Sequence, residues 1–359
     1  MSLFGSLFNR QSPPLFGLDI TSPSIKLVEL SQTSANAWVL EKCATEPLDY
    51  GWVVDGSIEN PDEVLLALKR LLKKTGVKTK NVAMALPPSV VITKKMMVPA
   101  GLSDIELEEQ VEAEANQYIP FALEEASLDF CRLDEPPNAQ GDVEVLIVAS
   151  RKEKVQDRLA LAEAAGLNLK VIDVESYASR LSLNRLIQQL PNKGAQAIVA
   201  LFDIGSQSST MQVLQDGKVL YEREQPFGTA QLMKLIVRQY GLTMEEAVIK
   251  RRNAELPSDY KESVLTPFTA GLSNEIGRAL QFFFTSSKYN SVNYVILSGE
   301  ASQFSGLGQT VTDQTSFPCI AANPFEDMQI SSGVREKKLA SDAPTYLTAC
   351  GLAMRRFTK

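Results

Sequence analysis

The sequence predicts an α/β protein made of two related halves, each a small sheet with its helices and each interrupted by an insertion. The stretch Leu15 to Leu30, LFGLDITSPSIKLVEL, reads as a strand, a polar turn opened by Asp19, and a second strand. Placing Asp19 over Asp203 aligns DITSPSIK with DIGSQSST, each behind an apolar run (Phe16 to Leu18; Ile198 to Phe202), and that echo points to duplication. Around these runs, strand-like segments alternate with amphipathic stretches that carry helix punctuation.

Loops of this kind can serve phosphates. Small residues let backbone N–H groups approach the oxygens, and a carboxylate at a strand end can hold a hydrated cation such as Mg2+. Two such loops facing each other would clamp one nucleotide. Either loop alone also fits a plain β-hairpin whose Asp and Ser residues make the turn.

Composition narrows the chemistry. The 359 residues, 44% hydrophobic and 22% charged, suffice for about two domains with their own cores. Cys43, Cys131, Cys319 and Cys350 lie far apart without CxxC or metal-ligand spacing, which predicts reduced, mostly buried thiols. There is no histidine, so Ser-His-Asp, Cys-His and His-phosphate chemistry are excluded, and acid-base work falls to carboxylates, lysines or water. A formal charge of -7 gives no general affinity for nucleic acid or anionic lipid. No apolar run approaches the roughly 20 residues that span a bilayer. The first dozen residues place Leu3, Phe4, Leu7 and Phe8 at helical spacing, but the segment is short and reads as a frayed terminus without signal-peptide features.

The elements follow in order. A third strand is expected over Ala37 to Ala44, then a helix with Asn60 as N-cap, Pro61 at N1, Glu63 completing a capping box and Gly76 closing it. Its buried stripe is Val64, Leu65, Leu68, Leu71 and Leu72. Val82 to Leu86 is a short strand stopped by Pro87 and Pro88. From 90 to 171 the pattern becomes strand, helix, two strands, helix, strand, with breaks such as Pro136-Pro137-Asn138, and reads as an inserted subdomain. Its first helix opens on a Ser103/Glu106 capping box, and every charged residue between 104 and 119 is acidic. A helix follows within 172–190, and Pro191 to Gly194 reads as a linker. The second half repeats the scheme with strands at Ala197 to Asp203, Thr210 to Leu214 and Lys218 to Arg223, the last two joined at Asp216-Gly217. Helices over 229–240, after Thr243/Glu246 and over 267–288 read as a second insertion. Val292 to Leu297 then runs into Ser298-Gly299-Glu300-Ala301, where glycine would admit a flat ligand ring. Pro344 to Arg356 is a helix whose Ala349, Gly351 and Ala353 permit close contact with the first half.

These pieces resemble the actin, Hsp70 and sugar-kinase ATPase superfamily, with Asp19 to Lys26 as first phosphate motif, Asp203 to Thr210 as second and Leu297 to Ala301 as adenosine motif. Within its FtsA-like branch the chain is most similar to the PilM family of type IV pilus assembly proteins, through GLDITSPSIKLVEL, EAEANQYIPFALEE at 112–125 and IDVESYASR at 172–180. The resemblance implies an actin-like ATPase fold of two RNase H-like halves. Their limits would be a first core half at 12–89, an FtsA-type IC subdomain at 90–171, and a return with interdomain connection at 172–191. The second core half at 192–230 would be followed by a helical IIB insertion at 231–290, the rest of that half at 291–343, and a C-terminal helix at 344–359.

The resemblance also implies roles. Asp19 and Asp203 would hold Mg2+ through water, and Ser22, Ser24, Lys26, Gly205 and Ser206 would surround the phosphates of ATP. Lys250 would reach the nucleoside, with Glu246 a weaker choice because its capping box explains it; Gly299, Glu300 and Ala301 would border the purine. Glu175 would orient an attacking water. Thr21 stands where the second loop has Gly205, so hydrolysis is expected to be slow at most.

The function implied is a cytoplasmic ATP-binding scaffold of the pilus assembly platform, peripheral to the inner membrane through partner proteins, that binds the cytoplasmic N-terminal tail of PilN and supports twitching motility. Glu112, Glu114, Tyr118, Ile119 and Phe121 are the partner-site expectation, in a groove between the insertion and the first half's core. An acidic helix with an apolar exit suits a short peptide with apolar anchors and a basic residue; the same exit also fits plain core. Two alternatives share the fold. A sugar- or acetate-type kinase needs a base on the acceptor hydroxyl, and no acidic motif is spare for it. An FtsA-like filament former carries a membrane helix for which the ending MRRFTK gives no signal. Self-association in other forms stays open.

Overall fold

The protein is described by a computed structural model over residues 13–133 and 141–358; the N-terminal dozen and the Pro136-Pro137-Asn138 break lie outside these. β1 (Phe16–Thr21), β2 (Ser24–Gln32) and β3 (Trp38–Pro47) form an antiparallel meander. The first turn is Ser22-Pro23, so Asp19 lies inside β1 rather than opening the turn. β4 (Val53–Val54) and β5 (Ser57–Ile58) make a small hairpin whose Asp55 and Gly56 take φ of 48° and 75°, the positive pair that a tight hairpin turn requires.

α1 (Pro61–Thr75) starts and stops as its punctuation predicts, with Pro61 at N1 and Gly76 at φ 59°. The expected Asn60/Glu63 capping box is not made. Asn60 has ψ 80°, against 163° at Ser103 and 168° at Thr243, and its side chain makes no capping hydrogen bond. Val64, Leu68 and Leu71 are fully buried with Ala67, whereas Leu65 and Leu72 are half-buried.

β6 (Asn81–Leu86) runs parallel to β1. Next come β7 (Val91–Pro99), α2 (Asp104–Tyr118), β8 (Ala126–Leu133) and β9 (Asp142–Arg151), forming a separate sheet of order β7-β9-β8. α2 closes its core through Leu107 and Val111 against Val98, Val143, Val145 and Ile147, and opens on the predicted Ser103/Glu106 capping box. The remainder of the 90–171 stretch behaves differently. α3 (Lys152–Ala164) buries Leu161 and Ala162 in the core under the first sheet, and β10 (Asn168–Val174) pairs in parallel with β6.

α4 (Glu175–Ile187) leads through a short turn, in which Asn192 and Lys193 take positive φ, to β11 (Ile198–Ile204), β12 (Ser209–Gln215) and β13 (Lys218–Gln225). Asp216 and Gly217, at φ 48° and 77°, make the predicted β12–β13 turn. α5 (Ala230–Tyr240), α6 (Met244–Arg252) and α7 (Thr266–Ser286) precede β14 (Tyr294–Gly299), α8 (Leu307–Thr315) and β15 (Cys319–Ala321). β16 (Gln329–Ile330), α9 (Glu336–Asp342) and α10 (Leu347–Met354) return to the first half.

The duplication is visible in the topology. The first sheet reads β10-β6-β1-β2-β3 with β16 added at its edge, and the second β15-β14-β11-β12-β13. Each is an antiparallel meander extended by two parallel strands. α4 and α10 join the halves. Leu183, Leu186 and Ile187 of α4 pack with Val199, Leu201 and Ile296, while Ala178 meets Leu352, Ala83 and Ala85. The small residues foreseen in the last helix have a steric cause: a β-carbon on Gly351 would collide with the Ala178 carbonyl, and one on Gly17 with the Ala349 carbonyl.

Candidate functional site

Both hairpins carry their aspartate at the same point. In the strand register Asp19 stands opposite Lys26 and Asp203 opposite Thr210, each partner seven residues on. Lys26 Nζ lies 3.8 Å from Asp19 Oδ2 and donates to Thr21 Oγ1 at 3.2 Å; both ion-pair partners are buried. In the second hairpin Gly205 N–H donates to Ser208 O at 3.0 Å, and a β-carbon at Gly205 would sit 2.8 Å from that oxygen.

The second loop is braced from behind. The carbonyls of Gly205 and Ser206 accept from the N–H groups of Thr229 and Ala230, at 3.0 and 2.8 Å, where α5 begins. A β-carbon at Gly228 would collide with Ser206 O, so a glycine with no motif around it is what lets helix and loop meet. Gly299 is likewise explained by backbone: at φ 78°, its β-carbon would run into Ile204 O and sit 2.9 Å from Asp203 Oδ1. Contact between the ends of β11 and β14 thus requires glycine here in its own right, beside the ligand-ring reason expected from sequence.

Between the hairpins lies a cavity of about 390 Å³, lined by Asp19, Thr21, Ser22 and Lys26 on one side and by Asp203, Gly205, Ser206, Gly299 and Glu300 on the other. Glu175, the first residue of α4, also lines it. Burial pushes the Glu175 carboxyl up to about 8, with the neighbouring Asp19 and Asp203 carboxylates adding to the shift. Burial also raises Asp19, opposed by Lys26 and Arg158, and raises Asp203. Three acids thus compete for little positive charge in a poorly solvated space.

Not every expected residue faces the cavity. Ser24 is buried in β2, its carbonyl accepting the Thr21 hydroxyl at 3.1 Å. Ala301 is fully buried in the second half's core, and Lys250, on α6, is not among the lining residues. Ser22 does line it, and its hydroxyl donates to Val53 O at 2.8 Å. Asp55, Gly56, Glu224, Thr345 and Thr348 line it without having been foreseen, since they arrive from turns and termini with no motif of their own. Arg158 was missed too: it reads as an ordinary charged helix position, yet it is 2% exposed and gives Nη2 to Gly56 O at 2.7 Å.

The partner expectation divides. Glu112 is exposed and Glu114 half-buried, beside the buried Leu107-Val111-Ala115 stripe of α2. Ile119 is core, packed with Ala115, Ala126 and Ala149, which corrects its reading as an exposed anchor: the chain turns inward at the C-cap. Phe121 is half-buried under the Arg151 guanidinium at 4.3 Å, and Tyr118, 44% exposed, has Lys94 Nζ 4.3 Å from its ring centre. A distinct groove of about 350 Å³ runs between α1 and α3, with Ile58, Pro61, Leu65 and Leu161 among its apolar lining and Asp62 and Asp157 as its acids. A larger one, about 680 Å³, lies between α7 and α8; it includes none of the hairpin residues.

The family model of the type IV pilus assembly protein PilM matches residues 17–357. Among solved structures, the PilM-PilN type IV pilus biogenesis complex is similar at a TM-score of 0.79 and 28% identity, over 96% of this chain and 99% of that one. The ethanolamine utilization protein EutJ from Carboxydothermus hydrogenoformans is similar at a TM-score of 0.56 and 14% identity, over 95% and 89% of the two chains, a likeness of fold alone. The fold is the actin-like ATPase fold.

Proposed function

The chain belongs to the type IV pilus assembly protein PilM family, and on that premise we propose that it is an ATP-binding scaffold whose cleft holds Mg-ATP while a surface groove holds the cytoplasmic tail of PilN. One observation carries the nucleotide reading: three carboxylates, Asp19, Asp203 and Glu175, converge with Lys26 between two hairpins of equal register. Their raised proton affinities mark a deficit of positive charge, which a divalent cation would fill. Among the described residues no three such side chains are placed to ligate one ion, so Asp19 and Asp203 would hold it through its water shell. Lys26 and the Gly205-Ser206 backbone would meet the phosphates, and Glu300, whose carboxylate accepts from Thr229 Oγ1 at 3.0 Å, would border the nucleoside with Gly299. Bound Mg2+ supplies charge neutralisation of the phosphates.

The groove between α1 and α3 supports the partner half of the reading, since its apolar floor and its Asp62 and Asp157 suit a short segment with apolar anchors and a basic residue. The acids of α2 would steer that segment. No helix among the described residues is long and apolar enough to cross a membrane, so we assign attachment to the inner membrane, and to other platform proteins, to PilN. The test is calorimetric titration of the chain with Mg-ATP, joined to capture of inner-membrane proteins with and without nucleotide. Micromolar Mg-ATP binding and recovery of PilN support the proposal; absence of either removes that half of it.

A further inference from the structure

The cleft and the α1–α3 groove share one small element, the Val53–Ile58 hairpin. Its turn residues Asp55 and Gly56 line the cleft, while Ile58 at its far end lines the groove. Ser22, in the first phosphate loop, donates its hydroxyl to Val53 O at 2.8 Å. On the other side Arg158 Nη2 donates to Gly56 O at 2.7 Å and Lys154 Nζ to Ser57 Oγ at 2.9 Å, both from α3. The residue beside Arg158, Asp157, is a wall of the groove. Gly56 packs closely on Pro87, whose ring a β-carbon at this position would run into.

Resting on the nucleotide reading above, we propose that the Val53–Ile58 hairpin transmits occupancy of the cleft to the groove, with the Ser22 hydroxyl and the Arg158 guanidinium as its two attachments. A serine hydroxyl has one proton to donate. A phosphate oxygen of a nucleotide offers acceptors only, so a phosphate that takes the Ser22 proton removes it from Val53 O. That exchange is a two-state event at one end of the hairpin, and each state has its own hydrogen-bond partner. At the other end Arg158 is buried: it is 2% exposed, its Nη2 donates to Gly56 O, and its Nε finds no partner among the described residues. Breaking the bond to Gly56 O would leave a second nitrogen of a buried cation unpaired, so Arg158 follows the hairpin and carries α3 with it. Displacement of Gly56 therefore reaches Asp157 and Leu161, and displacement of Ile58 reaches the groove directly.

Hydrogen exchange on the full chain, with Mg-ATP as the probe, reads the transmission. In the wild type, saturating Mg-ATP should change exchange at the amides of 53–58 and at the groove walls, 58–65 and 157–164, by at least about 5-fold, the lower end of ordinary coupling. At Mg-ATP concentrations that saturate each variant by calorimetry, Ser22→Ala, which loses one phosphate contact and so binds more weakly, and Arg158→Lys, which leaves the cleft lining untouched, should both lose the response at 157–164. A purely structural role would lower melting temperature and leave the response intact. Lys154→Met, which removes the second pin without touching the cleft, should weaken the response and stands in if Arg158→Lys fails to fold. Calorimetric silence of the wild type with Mg-ATP overturns the nucleotide reading and this one with it. Binding without any change at the groove, or an unaltered response in the folded variants, overturns the transmission alone.

Discussion

Asp19 has a lysine opposite it in the strand register and Asp203 has a threonine, Thr210, although the two hairpins are otherwise of one length. The first half therefore carries its own counterion, 3.8 Å from the carboxylate, and the second does not. A metal-phosphate group entering the cleft gains most where charge is least compensated, which is at Asp203.

Asp203→Ala is accordingly expected to weaken Mg-ATP binding by more than the ~1–3 kcal/mol of a single unpaired polar contact, about a hundredfold or beyond. Titration calorimetry on a variant shown folded by its melting curve measures this. Unchanged affinity would remove Asp203 from the metal site.

Turnover should be slow, under the ~1 s⁻¹ of ordinary enzymes. Thr21 occupies the position of Gly205 and its hydroxyl is committed to Ser24 O, so the first loop offers the phosphates little beyond Lys26 and a Ser22 hydroxyl that must leave Val53 O to reach them. A phosphate-release assay decides; kinase-like rates, with or without a sugar acceptor, would instead favour a phosphotransferase.

Glu175 sets a pH dependence. Its folded-state pKa of about 8 stands above the 4.5 of the free side chain, so the folded protein binds the extra proton. By linkage its contribution is most favourable below about 4.5, falls as pH rises toward about 8, and is level beyond. Glu175→Gln removes this loss. Its melting temperature relative to the wild type should climb between pH 5 and 8 and then flatten; a constant difference across that range would show that Glu175 is already ionised in the fold.

Gly351 offers a steric test of how the halves are joined. Any β-carbon there meets the Ala178 carbonyl, which is backbone and cannot rotate away, so Gly351→Ala should cost about 1–3 kcal/mol through forced separation of α10 from α4. Denaturant unfolding measures it, and a neutral result would mean the interface adapts.

What the sequence disclosed follows from what is local. The β12–β13 turn, two of three capping boxes, the duplicated aspartates and the small-residue helix are written in neighbouring residues, and each is found, although Asp19 lies inside β1 rather than opening its turn. The family resemblance rested on such stretches and supplied the fold class. Arg158, Gly228 and the turn at Asp55-Gly56 were illegible because their roles depend on what meets them from distant elements: Gly56 O, Ser206 O and Pro87. The same holds for Ile119, whose exposure depends on which way the chain turns after α2.

The partner site turns on which acids touch the peptide. Asp62 and Asp157 line the α1–α3 groove, whereas Glu112 and Glu114 flank the buried stripe of α2 without lining it. Acids in contact hold a bound basic residue and govern dissociation; acids at a distance raise the encounter rate and are screened by salt within a Debye length, about 8–10 Å near physiological ionic strength. Reversing Glu112 and Glu114 to lysine should therefore spare folding, slow capture of a synthetic PilN tail peptide and flatten its salt dependence, with dissociation little changed. Asp157→Lys should instead speed dissociation and weaken binding by about tenfold or more. Stopped-flow fluorescence at two salt concentrations separates the rates. If the doubly reversed α2 variant captures the peptide at the wild-type rate, that acidic face is a solvated surface; if Asp157→Lys leaves dissociation unaltered, the tail seats elsewhere.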